Sequence, residues 1–136
     1  MSETPAGTAP VDGIVNTRSA LPVADTVERL SQLIGAAGAT LFGIIDQSCE
    51  AEQAGLTLRD TKLLIFGNPA AGTPVMAAKP LAALDLPLKI LVWQDDDGAA
   101  WMTYLDPAWL AARHGLTGDL TAPLRAPAAL TARIDD

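Results

Sequence analysis

Apolar and polar residues recur along this chain with two different periods, and each period predicts a different kind of element. One set of apolar residues recurs at spacings of three and four, which is typical of one face of an amphipathic helix: Val27, Leu30, Leu33, Ile34 and Ala37. Pro22 lies near the start of this helix, Asp25 lies in its first turn, and Gly38 follows its end. The pattern therefore predicts a helix that buries one face.

Shorter apolar runs predict strands at 13–17, 40–45, 61–66, 88–93 and 100–105. The run at 40–45 is apolar on both faces, so we expect it inside a covered sheet. The turn from Asp95 to Gly98 predicts a hairpin between the last two strands, with solvated carboxylates. The side chains predicted to be buried are Leu30, Ile34, Ile44, Leu64, Phe66, Ile90 and Val92.

Capping signals predict three further helices: 48–54 with Ser48 as N-cap, 74–79 with Thr73 as N-cap, and 107–114 with Asp106 as N-cap. We divide the chain into a disordered tail at 1–11, a single domain at 12–116, and a C-terminal extension at 117–136. Pro123 and Pro127 interrupt the helical spacing of that extension, which predicts a broken helix packed on the domain. The order of elements predicts an α+β fold, an antiparallel-rich sheet with helices on one face.

Composition narrows the classes of partner. The chain has 136 residues, is 49% hydrophobic and carries a net charge of −7, which fits one globular domain and argues against binding nucleic acid or an anionic membrane surface. Cys49 has no second cysteine to pair with, and residues 1–10 lack the pattern of a signal peptide. We therefore expect a cytoplasmic protein.

Several short motifs resemble one bacterial family. They are Ile65-Phe66-Gly67-Asn68-Pro69 through Gly72-Thr73-Pro74, then 84–89, then Trp101 through Tyr104 to Asp106-Pro107, and finally 113–116. In order and spacing they are similar to the domain-of-unknown-function family 302. The resemblance implies strand, helix, four strands and helix, as in the repeat of the TATA-box-binding protein, and a homodimer. It implies no established reaction and no DNA binding. Many members have a histidine where this chain has Gln47.

The strongest candidate site is the loop from Gly67 to Thr73. Gly67 and Gly72 would let backbone approach a ligand, and a helix starting at Pro74 would offer free N–H groups to an anion, with Asn68 and Thr73 beside it. The loop lacks the Gly-Lys-Ser/Thr ending of a phosphate-binding P-loop. The alternative is that these residues only form a turn and a cap.

Polar residues at strand ends could extend this site. Asp46, Lys89, Tyr104 and Asp106, with Asp85, would line a polar pocket if the sheet brought them near the loop.

Three other features have structural interpretations. His114 is the only histidine, at the end of a helix, and cannot alone form a multi-histidine metal site. Cys49 has no base nearby in sequence, and Asp95 to Asp97 lack the ligand spacing of a calcium loop. We expect no metal and no cofactor.

The leading hypothesis is a homodimeric module that binds a small polar or anionic ligand at the loop from Gly67 to Thr73. One alternative is an enzyme of unknown reaction with Asp46, Tyr104 or Asp106 as acid or base. Another is a protein–protein interaction module. A pocket with converging polar groups would favour the first two, and a flat apolar patch the third.

Overall fold

Five strands and five α-helices follow one another in a computed structural model that describes residues 3–136. In chain order they are β1 (Ile14–Ser19), α1 (Val23–Ala36), β2 (Thr40–Asp46), α2 (Gln47–Gln53), β3 (Thr61–Gly67), α3 (Pro69–Ala78), β4 (Leu88–Gln94), β5 (Ala100–Leu105), α4 (Pro107–His114) and α5 (Ala126–Thr131). Two 3-10 helices, Pro80–Leu84 and Gly118–Arg125, precede β4 and α5.

The strands form one antiparallel sheet in the order β1-β5-β4-β3-β2. The first strand thus lies beside the last, and β4 lies at the centre. The predicted α+β class, with an antiparallel sheet and helices, is confirmed.

Helix α1 covers one face of this sheet. Leu30 and Ile34 on the helix are fully buried, as are Leu64, Ile90 and Met102 on the central strands. Side chains alternate across a strand, so these even-numbered positions share the face that meets the helix. Burial is confirmed for six of the seven predicted core residues: Leu30, Ile34, Leu64, Phe66, Ile90 and Val92.

The prediction for Ile44, and with it a covered position for strand 40–45, is wrong. Ile44 is 42% exposed, because β2 is the edge strand of the sheet. The pairing of β2 with β3 also shifts register between Leu41 and Gly43, and such a bulge bends an edge strand away from its neighbour's plane. Only Leu41 of this strand packs against the core under α1.

A second core lies where α3, α4 and the two 3-10 helices meet. It is formed by Val75, Ala82, Leu110, Ala111, Leu116 and Leu124. The segment after Leu116 reaches both cores, because Leu124 belongs to this one while Leu130 and Ile134 belong to the core under α1.

The sheet face away from α1 keeps a row of apolar side chains. Leu63 and Leu91 are direct partners across β3 and β4, and Ile45 and Trp93 flank them on the same face. Leu63, Leu91 and Trp93 are half-buried and Ile45 is 40% exposed, and neither core contains them. We call these four residues, together with Ile65, the open sheet face.

Residues 3–10 lie against one corner of the domain. Pro5 is fully buried, and the Ala6 amide donates to the carboxylate of Asp95 at 3.1 Å. The predicted disordered tail is therefore not seen over residues 3–11, while Met1 and Ser2 lie outside the described residues. Tertiary hydrogen bonds, which no local pattern reveals, hold this segment.

Asp95 is the centre of that corner, and the expectation of a solvated turn carboxylate is wrong for it. It is 7% exposed, and its side chain accepts hydrogen bonds from Trp101 Nε1 at 2.8 Å and from the amides of Ala99 and Asp97. Burial raises the pKa of Asp95, but these bonds and the one from Ala6 outweigh burial, so its pKa is held below the ordinary value.

We expect Asp95→Asn to lower the Tm at neutral pH. The pKa of Asp95 is lower folded than unfolded, so its stabilisation is present above the unfolded pKa and is lost as pH falls through the folded pKa. The difference in Tm between the parent and Asp95→Asn should therefore shrink on acidification. Melting followed by tryptophan fluorescence measures it. Asp97→Asn, at an exposed neighbour, is the matched control, and an equal loss in both variants would contradict the assignment.

Candidate functional site

An apolar cavity of about 530 Å³ lies where the two cores meet. Phe66 and Leu130 of the first core and Val75 and Leu124 of the second form its buried floor. Alanines make up much of the remaining wall: Ala37, Ala39, Ala71, Ala122, Ala126 and Ala129. Side chains this small leave the space between the elements unfilled.

The predicted loop borders this cavity. Gly67, Asn68, Gly72 and Thr73 all line it. The expected helix start at Thr73-Pro74 is wrong, however, because α3 begins at Pro69 and Asn68 is its N-cap. Asn68-Pro69 and Thr73-Pro74 carry the same local signal, a capping side chain followed by proline at the first helical position.

This earlier start removes the expected anion site at the helix N-terminus. The Asn68 side chain accepts from the Ala70 amide at 3.0 Å, and the Asn68 carbonyl accepts from the amides of Ala71 and Gly72. The first-turn donors are thus already satisfied.

Neither glycine of the loop is required by its backbone. Gly67 and Gly72 do not have positive φ. A Cβ on Gly72 would meet only Met76 Cε, at 4.0 Å, and a Cβ on Gly67 would meet Phe42 and Pro87 at ordinary contact distances. A Cβ at position 72 is therefore accommodated at ordinary contact distance.

Two arginines at the cavity were missed from the sequence. Arg125 and Arg133 are the charged residues among the described side chains that line it. They lie just before and just after α5, in the extension whose placement depends on tertiary packing. Among the described residues the Arg125 side chain has no hydrogen-bond or ion-pair partner, whereas Arg133 Nε donates to Asp136 at 3.0 Å.

Asp46 is not part of this cavity. It pairs with Lys62 across β2 and β3, whereas Gly67 pairs with Thr40 at the other end of the same ladder, about 16 Å away at the usual strand rise. Hydrogen bonds from the Cys49 amide and the Ser48 hydroxyl, with Lys62 nearby, lower the pKa of Asp46. Asp46, rather than the expected Ser48, is the N-cap of α2.

Lys89 and Tyr104 line one cleft, which is separate from the apolar cavity. They border a smaller cleft of about 280 Å³, with Asp85, where the β4–β5 ladder stops at the pair Leu91–Thr103. Tyr104 is 9% exposed, and the Lys89 ammonium donates to the Pro87 carbonyl at 2.9 Å. The expected pocket that joins them to the loop is absent from the described residues.

Asp106 caps α4 as predicted, accepting from the Ala108 amide at 2.9 Å. It borders neither the apolar cavity nor the smaller cleft. One carboxylate oxygen of Asp106 is thus engaged by the backbone of α4.

His114 and Cys49 have structural surroundings. His114 Nε2 lies 2.5 Å from Asp85 Oδ2, which also accepts from Arg113 Nε at 3.0 Å, so the end of α4 is tied to the residue that follows the 3-10 helix Pro80–Leu84. Cys49 is exposed, and Gln53 Nε2 lies 3.7 Å from its sulfur. Within residues 3–136, no three acidic, histidine or cysteine side chains are grouped as metal ligands would be.

Comparison with known proteins identifies the family. The model of the family described as "Domain of unknown function DUF302" matches residues 15–132. The crystal structure of an uncharacterized conserved DUF302 protein from Bacillus stearothermophilus superposes with a TM-score of 0.75 at 18% identity, covering 91% of this chain and 96% of that one. At that identity the likeness concerns the fold.

Curated relatives with a functional name share only a part with this chain. "Fluoride-specific ion channel FluC 1" of Brucella suis biovar 1 is 44% identical over 110 residues, which is 79% of this chain and 43% of the relative. The match to FluC 2 of Brucella melitensis covers 41% of that protein. The chain thus spans about two-fifths of these relatives. None of the helices described in this chain is long and apolar enough to cross a membrane.

The corrected start of α3 is testable by capping variants. We expect Asn68→Ala to reduce the free energy of unfolding by about 0.5–2 kcal/mol, because the cap of α3 is lost. Thr73→Ala should be close to neutral, since Thr73 lies within the helix. Urea denaturation measures both. The opposite order of the two losses would restore the helix start at Pro74.

Proposed function

We propose that this chain, which belongs to the DUF302 family, is a homodimeric module that binds a small ligand in the apolar cavity beside Gly67, Asn68, Gly72 and Thr73. The observation that carries the proposal is the cavity itself. Its volume of about 530 Å³ lies within the range of small-molecule sites, about 300–1,000 Å³. Its floor is built from residues of both cores, so the site is largely formed before a ligand arrives.

An enzyme that uses Asp46, Tyr104 or Asp106 finds less support. The two aspartates cap helices, and Tyr104 packs in the core under α1. The lowered pKa of Asp46 keeps it ionised, which suits a cap and not a proton donor. None of the three borders the apolar cavity.

We propose the open sheet face as the dimer surface. Strands β3 and β4 are interior strands, hydrogen-bonded on both sides, so only a layer packed on the face can cover Leu63 and Leu91. A two-fold axis through the face brings the same apolar row onto itself, which is how isologous dimers are built. This face supports the interaction-module alternative as well, with a second copy as the partner.

The channel name of the Brucella relatives is not part of this proposal, because the chain spans only 43% and 41% of the two proteins. We propose a cytoplasmic location, on the ground that the exposed Cys49 has no disulfide partner.

The ligand site can be tested by filling the cavity. A thermal-shift screen against metabolites first identifies a ligand, since binding to the folded state raises Tm. We then expect Gly72→Leu to remove that shift, because the new side chain occupies cavity space. Folding should be retained or improved by about 0.5–1 kcal/mol, since glycine is a poor helix residue.

Gly35→Leu is the matched control for this variant. Gly35 is also helical, has open space within 4 Å of the place where a Cβ would lie, and does not line the cavity. Binding by Gly72→Leu equal to that of the parent and of Gly35→Leu would show that the ligand binds elsewhere.

The dimer is tested by charge at the open sheet face. Light scattering should give twice the 14.1 kDa chain mass for the parent protein. Leu91→Lys should give the single-chain mass, because two lysines brought together at a two-fold axis repel each other and burial removes the water that solvates their ammonium groups. Leu81→Lys is the control, because Leu81 is 81% exposed on a 3-10 helix. A monomeric parent would contradict the proposal, and unchanged dimers of Leu91→Lys would place the interface elsewhere.

A further inference from the structure

The chemistry of the cavity wall also indicates the class of ligand. The floor residues Phe66, Val75 and Leu124 are at most 2% exposed, so neighbouring side chains cover them almost completely. The surface open to an occupant is that of the surrounding wall, where apolar side chains such as Phe42, Met76 and Leu88 lie. Sugar hydroxyls or a nucleobase placed there would give up hydrogen bonds to water without replacing them. The part of the ligand that enters the cavity is therefore apolar.

The polar groups near the loop from Gly67 to Thr73 do not alter the conclusion that the buried part of the ligand is apolar. The Asn68 side-chain oxygen accepts from the Ala70 amide, and the Asn68 carbonyl accepts from the amides of Ala71 and Gly72. A ligand that needs several hydrogen bonds would find few free donors or acceptors here.

Over residues 3–136, the charged side chains that line the cavity all lie on the side formed by α5. Arg125 and Arg133 flank α5, and Ala129 and Leu130 of that helix line the same wall. Both arginines line the cavity and are exposed to solvent, so they lie at its rim. In a chain with a net charge of −7, no acidic side chain is among the described residues that line the cavity.

Both arginines are available to an anion. Arg125 has no partner within the described chain, and the pair between Arg133 and Asp136 has side chains 56% and 58% exposed. Solvent weakens such a pair, so a carboxylate at the opening can replace Asp136. Arginine binds carboxylates with two parallel N–H donors.

From this arrangement we propose that the ligand is a small amphipathic anion, with an aliphatic body against Phe42, Met76 and Leu88 and one carboxylate at Arg125 and Arg133. This inference rests on the proposed function, because it uses the same cavity. It differs from the expectation of a helix N-terminus anion site in both the binding groups and the apolar body of the ligand.

The test compares a matched pair of probes, decanoate and decan-1-ol, by isothermal titration calorimetry on the full chain. We expect decanoate to bind at least about tenfold more tightly, the effect of a charge-assisted contact. The preference should weaken at high salt, because the guanidinium groups are exposed. Arg125→Gln and Arg133→Gln together should reduce decanoate affinity to that of decanol and leave decanol binding unchanged.

Arg18→Gln is the control for loss of a positive charge outside the cavity, since Arg18 does not line it and lies on β1, three strands away from β3. Equal binding of decanoate and decanol by the parent, abolished by Gly72→Leu, would overturn the anion inference and keep the cavity as the site. A decanoate preference that survives the double arginine variant, or falls equally in Arg18→Gln, would also overturn the inference. If neither probe binds, the inference about the ligand class is wrong. The proposed function is tested separately, by the metabolite screen.

Discussion

Helix α1 packs on one face of an antiparallel sheet. Burial of its residues Leu30 and Ile34 against that face determines which side chains of the strands are buried. Because side chains alternate with a period of two, burial of Leu64 and Ile90 beneath the helix commits Leu63 and Leu91 to the opposite face. A sheet covered on one side normally carries polar residues on the other. Here the centre of the other side is apolar, so the packing that creates the core also creates the open sheet face.

The cavity has a related origin. The elements around α3 and α4 build a core of their own, and six of the residues that line the space between the two cores are alanines. Native interiors pack to the density of organic crystals, which requires side chains large enough to meet across the gap. Alanine side chains at Ala71 and Ala129 do not reach across the space between α3 and α5. The high hydrophobic fraction of 49% therefore produces both a folded domain and an unfilled apolar volume inside it.

Local signals were sufficient where the determining contact was local. The face of α1, the strands β3 to β5, and the capping of α4 by Asp106 were all predictable from spacing and caps. The start of α3 was not, because Asn68-Pro69 and Thr73-Pro74 carry equal signals and tertiary packing selects between them. The burial of Asp95 depends on Ala6, 89 residues away. Arg125 and Arg133 reach the cavity only because the C-terminal extension folds back, so the sequence identified one wall of the candidate site and missed the wall that carries the arginines.

Strand β3 connects the two proposed surfaces. Phe66 points into the cavity, while its neighbour Ile65 points to the open sheet face. An occupant of the cavity would lie beside Gly67 at the end of β3, above the buried Phe66 side chain, and a second copy at the open sheet face would contact β3 through Ile65 and Leu63. The intervening backbone is paired on both sides, to β2 and β4, which restricts its movement. With β3 fixed in this way, ligand binding and dimerisation are expected to be energetically independent, and a ligand that changes the dimer affinity would have to move β3 against both ladders.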